Sequence, residues 1–244
     1  YALYKDKGDA TDLLNYRGIT VNNSISKVFT NIWNERLNSL VEKLNLLGQI
    51  QNGFRRDRRG TDSLFVLRTI MEKASQAGSP QSRELELLFI DLTKAYDRIP
   101  RDLLWSKMEM LGLGGKFLNV IKALYKNDNF QVSINGYLSE KVFPKRGLKQ
   151  GCVLSPILFA LYISDLGKIL ENENGGANIS WKIISGLLFA DDLVLIARNQ
   201  EQLRRLKNLC QDFFETHGLE INVDKSKEMY YKDMKHPPIH LWSQ

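Results

Sequence analysis

The sequence predicts an α+β fold in which helices come first and a mixed unit built around a small antiparallel sheet follows. Three observations carry this. Apolar residues recur at three and four between residues 25 and 44 and again between 61 and 74. The compact run ELELLFIDL, bounded on its N-terminal side by the polar stretch QAGSPQSRE, reads as a central strand. In LLFADDLVLIA, at 187–197, two adjacent carboxylates break an otherwise apolar run, as a tight hairpin turn does.

The elements follow in order. The opening YKDKGDATDLLNYRGI is polar and basic and reads as a loop or ribbon leading into a helix. From Ile25 to Leu44, residues Ile25, Val28, Phe29, Ile32, Trp33, Leu37, Leu40, Val41 and Leu44 form one stripe expected to face the core. A second helix is expected from Thr61 to Ala74, and the strand 84–92 places Asp91 at its end. Pro100 can open a helix over LLWSKMEML, the glycines of GLGG stop it, and another helix carries Phe117, Val120, Ile121 and Leu124. Phe130, Val132 and Ile134 alternate with polar neighbours before Asn135-Gly136, a strong hairpin signal. Ser155-Pro156 suits the start of a long apolar helix reaching Leu170, and a strand is expected from Ile179 to Ile184. A last amphipathic helix runs from about Gln200 to Thr216, with Gly218 placed to end it.

Composition narrows the class. With 244 residues, 43% hydrophobic and 25% charged, the chain is ordinary globular material able to bury a sizeable core. No apolar stretch is long enough to cross a bilayer as a helix, and the start does not resemble a signal peptide. Cys152 and Cys210 lie far apart without metal-ligand spacing, which favours a reducing compartment and no disulfide. The net charge of +6 hints at a polyanionic partner. Arg55, Arg56, Arg58 and Arg59 cluster in GFRRDRRG, where phosphates would be held.

A sheet that sets the strand ending at Asp91 beside the hairpin of Asp191 and Asp192 would bring three carboxylates together. Like charges held a few ångströms apart and partly buried either take up protons or recruit cations. Hard oxygen donors of this kind suit Mg²⁺, which keeps part of its water shell and accepts phosphate oxygens. Taken alone, an Asp-Asp pair is also an ordinary turn. No GxxxxGK loop and no Ser-His-Asp arrangement competes, and His217, His236 and His240 have no useful spacing with the acids.

Seven blocks in order carry a resemblance: KGDATDLLNYRGI, RL at 36 and 37, QNGFRRDRRGTDSL, LLFIDLTKAYDRI, RGLKQGCVLSPILFALYISDL, GLLFADDLVLIA and GLEINVDKSK. Over nearly its whole length the sequence resembles the reverse transcriptases, most closely those of non-LTR, LINE-like retrotransposons. The resemblance implies a right-hand polymerase fold, with residues 1–84 as basic helical fingers, 85–244 as the palm, a helical insertion at about 100–128, and no thumb in the chain. It implies RNA-directed DNA synthesis by two-metal nucleotidyl transfer. Asp91, Asp191 and Asp192 would hold two Mg²⁺ ions, with Mn²⁺ a possible substitute, and Lys225 would protonate the departing pyrophosphate.

Other positions follow from the same resemblance. Tyr96 stands where the family places an aromatic residue that collides with a ribose 2′ hydroxyl. RNA-dependent RNA polymerases instead carry an acid near that spacing and GDD at the hairpin. Lys7 (or its neighbour Lys5) and Arg17 match basic residues that grip the triphosphate. Gln150 and Gly151 match the block that contacts the incoming nucleotide and the template backbone, Gly151 permitting close backbone approach. Arg55, Arg56, Arg58 and Arg59 would meet template phosphates. Gly18 replaces a proline that relatives often have. The implied partners are an RNA template, a DNA primer and deoxynucleoside triphosphates, with no membrane and with further domains of a parent polyprotein lying outside this chain. The implied setting is an intracellular ribonucleoprotein in nucleus or cytoplasm. The rival readings are a nucleic-acid-binding remnant with impaired synthesis and, further off, a Mg²⁺-dependent nuclease or cyclase with a similar palm.

Overall fold

The computed structural model describes residues 1–12, 15–76, 84–126, 128–134, 136–173, 175–179 and 182–232. In chain order the elements are β1 (Ala2–Tyr4), β2 (Tyr16–Gly18), α1 (Ser24–Lys43), α2 (Gly60–Ser75), β3 (Glu84–Ile90), α3 (Ala95–Arg98), α4 (Arg101–Met110) and α5 (Gly115–Lys126). They continue with β4 (Ser133–Ile134), β5 (Tyr137–Leu138), α6 (Ser155–Tyr162), α7 (Ser164–Asn172), β6 (Ala177–Ile179), β7 (Lys182–Ile184), β8 (Gly186–Phe189), β9 (Asp192–Ala197), α8 (Gln200–Thr216) and β10 (Lys227–Lys232). The chain forms two compact units, each assembled from two stretches: Tyr1–Leu46 with Lys94–Tyr162, and Leu47–Thr93 with Ile163–Gln244. They interleave along the sequence, where one cut after residue 84 was expected.

The first unit is mainly helical. Its centre is α6, in which every residue but Pro156 is buried, as expected of a helix apolar on all sides. Leu104 and Met108 of α4 and Leu118 and Ile121 of α5 are fully buried in the same unit. Truncating a ring such as Phe159, wholly buried on α6, would cost about 3–5 kcal/mol. The opening ribbon is real, with β1 and β2 antiparallel and Leu3 opposite Arg17.

The stripe on α1 is only half used. Asn23 caps the helix by accepting from the Ser26 amide at 2.7 Å. Leu37 and Val41 are buried, but Ile25, Val28, Phe29 and Ile32 are exposed. Helical periodicity told where the apolar face lies, and the packing of the unit reaches only its C-terminal part.

The second unit holds a four-stranded antiparallel sheet in the order β10-β3-β9-β8. β3 lies between two partner strands and is contacted by α2 and α8, in keeping with the apolar residues Leu87–Ile90 at its C-terminal end. One face packs Leu85, Leu87, Leu187 and Ile196 against Leu67, Ile70, Met71 and Ala74 of α2. α8 contacts β9 and β3 and buries Leu203, Leu206, Cys210, Phe213 and Phe214. Asn199 caps α8 by accepting from the Gln202 amide, and Gly218 follows it with a positive φ of 65°.

Three expectations change. The helix expected from 155 to 170 is broken at Ile163, where the backbone leaves helical geometry (φ −93°, ψ 6°) and the division between the two units falls. Ser155 does not cap: its hydroxyl donates to the Lys149 carbonyl at 2.7 Å. In place of the one strand expected over 179–184, β6 and β7 pair antiparallel, with Ile179 opposite Lys182. The HPPIH segment at 236–240 and Asn135 lie outside the described residues. Among the described residues no helix is long and apolar enough to cross a membrane.

Candidate active site

The acids gather at one end of the sheet in the second unit. β3 and β9 pair with Ile90 opposite Leu193, so the next pair in that register is Asp91 and Asp192. Residues facing each other in this way stand about 4.5–5.5 Å apart at Cβ. Phe189 pairs with Asp192 across the β8–β9 hairpin, leaving Ala190 and Asp191 as a two-residue loop. The three carboxylates expected from sequence to share a location are thus set at a strand end and a hairpin tip on adjacent strands.

The backbone of Asp91 is held from the other side by a turn that sequence reading associated only with Lys225. The Asn222 amide donates to the Asp91 carbonyl at 2.8 Å, and the Asp91 amide donates to the Ser226 hydroxyl at 3.2 Å. That hydroxyl in turn donates to the Asn222 carbonyl at 2.7 Å. The Lys225 ammonium stands 3.6 Å from Asp91 Oδ2. With Lys225 largely exposed, this pair contributes at most about 1 kcal/mol. Asp91 Oδ2 is buried and accepts no hydrogen bond.

Asp192 has its pKa raised above the usual carboxylate range, first by loss of hydration and then by the charges of Asp191 and Asp91. Asp192 therefore feels the charges of both other acids. Among the described residues no three acidic, His or Cys side chains converge tightly enough to make a ready metal site. The chemistry of the donors nevertheless suits a hard divalent cation: all are carboxylate oxygens, one is buried and lacks a hydrogen bond, and their mutual repulsion is a cost that a cation would relieve.

The candidates Lys7, Arg17, Tyr96, Gln150 and Gly151 belong to the first unit. Tyr96, on α3, lies flat on the buried Phe159, with ring centroids 4.8 Å apart and planes 18° apart. Its carbonyl accepts from the Leu148 amide at 2.8 Å, and Gln150 Nε2 donates to Asp97 at 3.0 Å, so α3 and the LKQG loop are fastened together. The loop is also held by a buried ion triad: Asp128 accepts from Arg101 at 2.9 Å and lies 2.9 Å from the Lys149 ammonium. Gly151 has φ +99°, and an added Cβ would come within 2.7 Å of the Thr20 carbonyl. Close approach is required there by the protein's own backbone, since Thr20 donates to the Gln150 carbonyl at 2.9 Å. Arg17 is exposed on β2, just before that segment, and Lys7 is exposed in the loop joining β1 to β2. A cavity of about 820 Å³ borders Gly18 to Asn22, Asp97 and Gly147 to Gln150.

The arginine cluster divides. Arg55 is buried and spends its guanidinium on the carbonyls of Gly48 and Gln51. Arg58 donates to the Gln49 carbonyl at 2.8 Å, to Asn52 Oδ1 at 2.9 Å and to Gln49 Oε1 at 3.0 Å. Both brace the loop in which they sit, a correction to the expectation that all four face phosphates. Arg56 and Arg59 are exposed. The spacing of the cluster could not separate the two kinds, because alternation into and out of a loop has no fixed period.

A small antiparallel sheet with an acid ending its central strand and a two-acid hairpin tip beside it, set among helices, is the fold of the right-hand nucleic-acid polymerases. Residues 5–241 match the family model described as reverse transcriptase (RNA-dependent DNA polymerase), and the chain belongs to that family. It is 31% identical over 165 residues to the Pol polyprotein of the type-2 retrotransposable element R2DM of Drosophila melanogaster, covering 68% of this chain and 16% of that protein. It is 27% identical over 221 residues to the Pol polyprotein of the type-1 retrotransposable element R2 of Popillia japonica, covering 90% of this chain and 30% of the relative. The chain thus spans less than a third of either. Among solved structures, telomerase from Candida tropicalis with a fragment of telomeric RNA aligns with a TM-score of 0.60 at 16% identity, over 85% of this chain and 34% of that one.

Proposed function

We propose that this chain performs RNA-templated DNA synthesis for a LINE-like retroelement, extending a DNA primer with deoxynucleotides. The observation that carries the reading is the β3–β9 register, in which Asp91 and Asp192 are the next pair after Ile90 and Leu193 and Asp191 occupies the adjoining turn. Asp91, Asp191 and Asp192 would hold the divalent cations, two Mg²⁺ or their Mn²⁺ substitutes. Bound there, such cations supply charge neutralisation for phosphoryl transfer and a more acidic primer hydroxyl. The protein's own part is to fix the carboxylates in place at the strand end and hairpin tip. Lys225, within 3.6 Å of Asp91, offsets part of their charge and is the nearby proton donor for a departing pyrophosphate.

Tyr96 is assigned the exclusion of a ribose 2′ hydroxyl, a task that demands a ring unable to swing aside. Stacking on Phe159 supports that assignment. Arg17 and Lys7 are assigned the triphosphate, Gln150 and Gly151 the nucleotide-binding loop, and Arg56 and Arg59 the template phosphates, with Arg55 and Arg58 bracing them. A ribonucleoprotein inside the cell is the setting that such substrates imply.

The test is primer extension on an RNA template with deoxynucleotides and Mg²⁺, beside the Asp191→Asn, Asp192→Asn variant. Extension by the unaltered protein and its loss in the variant is expected. Equal template and primer binding by both proteins with extension by neither would overturn the reading in favour of a binding remnant. Tyr96→Ala should admit ribonucleotides more readily, and an unchanged sugar preference would remove Tyr96 from its role.

A further inference from the structure

The loop that carries Asp191 is conformationally expensive. Ala190, its first residue, has φ +60°, a left-handed region that is unfavourable for a non-glycine residue. Two-residue hairpin loops commonly place glycine or asparagine where φ is positive. Alanine has neither glycine's freedom nor a polar side chain to bond locally. Something outside the hairpin must hold it there.

That support is Gln51. The residue is 1% exposed. Oε1 accepts from the Ala190 amide at 3.0 Å and from the Gly53 amide at 2.8 Å, while Nε2 donates to the Ala190 carbonyl at 3.3 Å. One side chain therefore grips both peptide groups of Ala190, and so fixes its φ and ψ together. These angles set the direction in which the next residue, Asp191, leaves the turn.

The grip is itself anchored. Residues 50–52 run parallel to β8 along its outer edge: Leu188 donates to the Ile50 carbonyl and Asn52 to the Leu188 carbonyl, each at 2.9 Å. Glu171 accepts from the Gln49 and Ile50 amides, and Arg55 donates to the Gly48 and Gln51 carbonyls. These bonds tie the segment carrying Gln51 both to the strand that leads into the turn and to α7. Gln51 cannot drift from Ala190 without breaking them.

We infer that Gln51 is a positioning residue for nucleotidyl transfer, clamping the strained peptide at Ala190 so that Asp191 and Asp192 are presented in one orientation. The inference rests on the polymerase reading above, because it assigns Gln51 its effect through those two acids. Gln51→Leu keeps the bulk of the side chain and removes all three hydrogen bonds. A carboxylate misplaced by about 1 Å costs on the order of 10²-fold in rate. The expected result is a kcat reduced by about that factor, with KM for the deoxynucleotide changed by less than about twofold. Ala190→Gly placed in the Gln51→Leu background should restore about tenfold, because glycine takes up positive φ without penalty. A residue that served packing alone would show neither the kcat-only loss nor rescue from a site it does not pack by volume.

Amide hydrogen exchange supplies a readout independent of activity. In the unaltered protein the Ala190 and Gly53 amides should exchange slowly, and in Gln51→Leu at least tenfold faster, while amides in the middle of β3 and β9 are unchanged. Exchange of Ala190 and Gly53 that is the same in both proteins overturns the clamp. Faster exchange with kcat unchanged, in a protein that extends primers, overturns the positioning role. If no extension occurs in the unaltered protein, the polymerase reading fails, and the exchange comparison still decides whether the clamp exists.

Discussion

Replacing Gly53 with alanine should damage the candidate site through backbone contact alone. A Cβ built on Gly53 would lie 2.1 Å from the Ala190 nitrogen, 2.8 Å from its Cα and 2.9 Å from the Phe189 carbonyl carbon. All three are main-chain atoms of the hairpin tip, so no side chain can rotate aside. Ordinary contact begins near 3.4 Å. The tip and the 50–53 segment must therefore separate by ~1.3 Å, enough to stretch or break the Gln51 bonds. Forced overpacking of this kind costs about 1–3 kcal/mol, and the absence of any flexible neighbour puts the expectation at the upper end. A displacement of that size at Asp191 should also slow primer extension about 10²-fold. Urea unfolding gives the first quantity and single-turnover extension the second. Gly167→Ala is the control: its Cβ meets Ile50 and the Leu47 carbonyl at an ordinary 3.6 Å, and alanine in a helix interior is favoured by up to about 1 kcal/mol. Gly53→Ala within about 0.5 kcal/mol of the unaltered protein and within about twofold in rate would refute the close-approach argument.

Three other outcomes are expected. Asp128→Ala leaves Arg101 and Lys149 as mostly buried cations without their carboxylate, and should cost about 3–5 kcal/mol in urea unfolding; a loss under about 1 kcal/mol would show the triad to be solvated. Arg56→Ala should lower the slope of log affinity against log salt for an RNA template by about 1, whereas Arg55→Ala should leave the slope alone and cost about 1–3 kcal/mol of stability by orphaning two carbonyls. Asp192 has a raised pKa in the fold, so the unfolded chain gives up its proton first and stability falls as pH rises from the ordinary value of 3.8 through the folded one. In the absence of divalent cations, Asp192→Asn should flatten that fall and melt higher than the unaltered protein at about pH 7, while extension is lost; equal melting at all pH would refute the repulsion.

The parts of the fold legible in the sequence were those with a strong period or a sharp break. The run 84–92 carries its own strand signal, and the FADD turn announces the hairpin because two acids inside an apolar run have few other uses. The break at Ile163 was hidden, since an apolar helix buried on all sides has no polar face whose phase could slip. β10 was hidden for the opposite reason: KEMYYK at 227–232 is half charged, and it becomes a strand because β3 offers it a free edge. Motif order singled out the acids and Lys225, and the fold brings Lys225 to 3.6 Å from Asp91. Gln51 was not singled out, although it stands in a quoted block, because its role depends on an Ala190 φ that only coordinates reveal.

The interleaving of the two units bears on how this chain comes into being on a ribosome. β3 is complete at residue 90, yet the strands that flank it, β9 and β10, begin at 192 and 227. The helical unit has all its chain by residue 162, so it can close first while β3, the first-made strand of the other unit's sheet, waits with both edges bare. A nascent or truncated product ending between 162 and 192 would hold one finished half and one adhesive ribbon. Such products should be the insoluble ones, and chaperone demand should peak in that interval of synthesis.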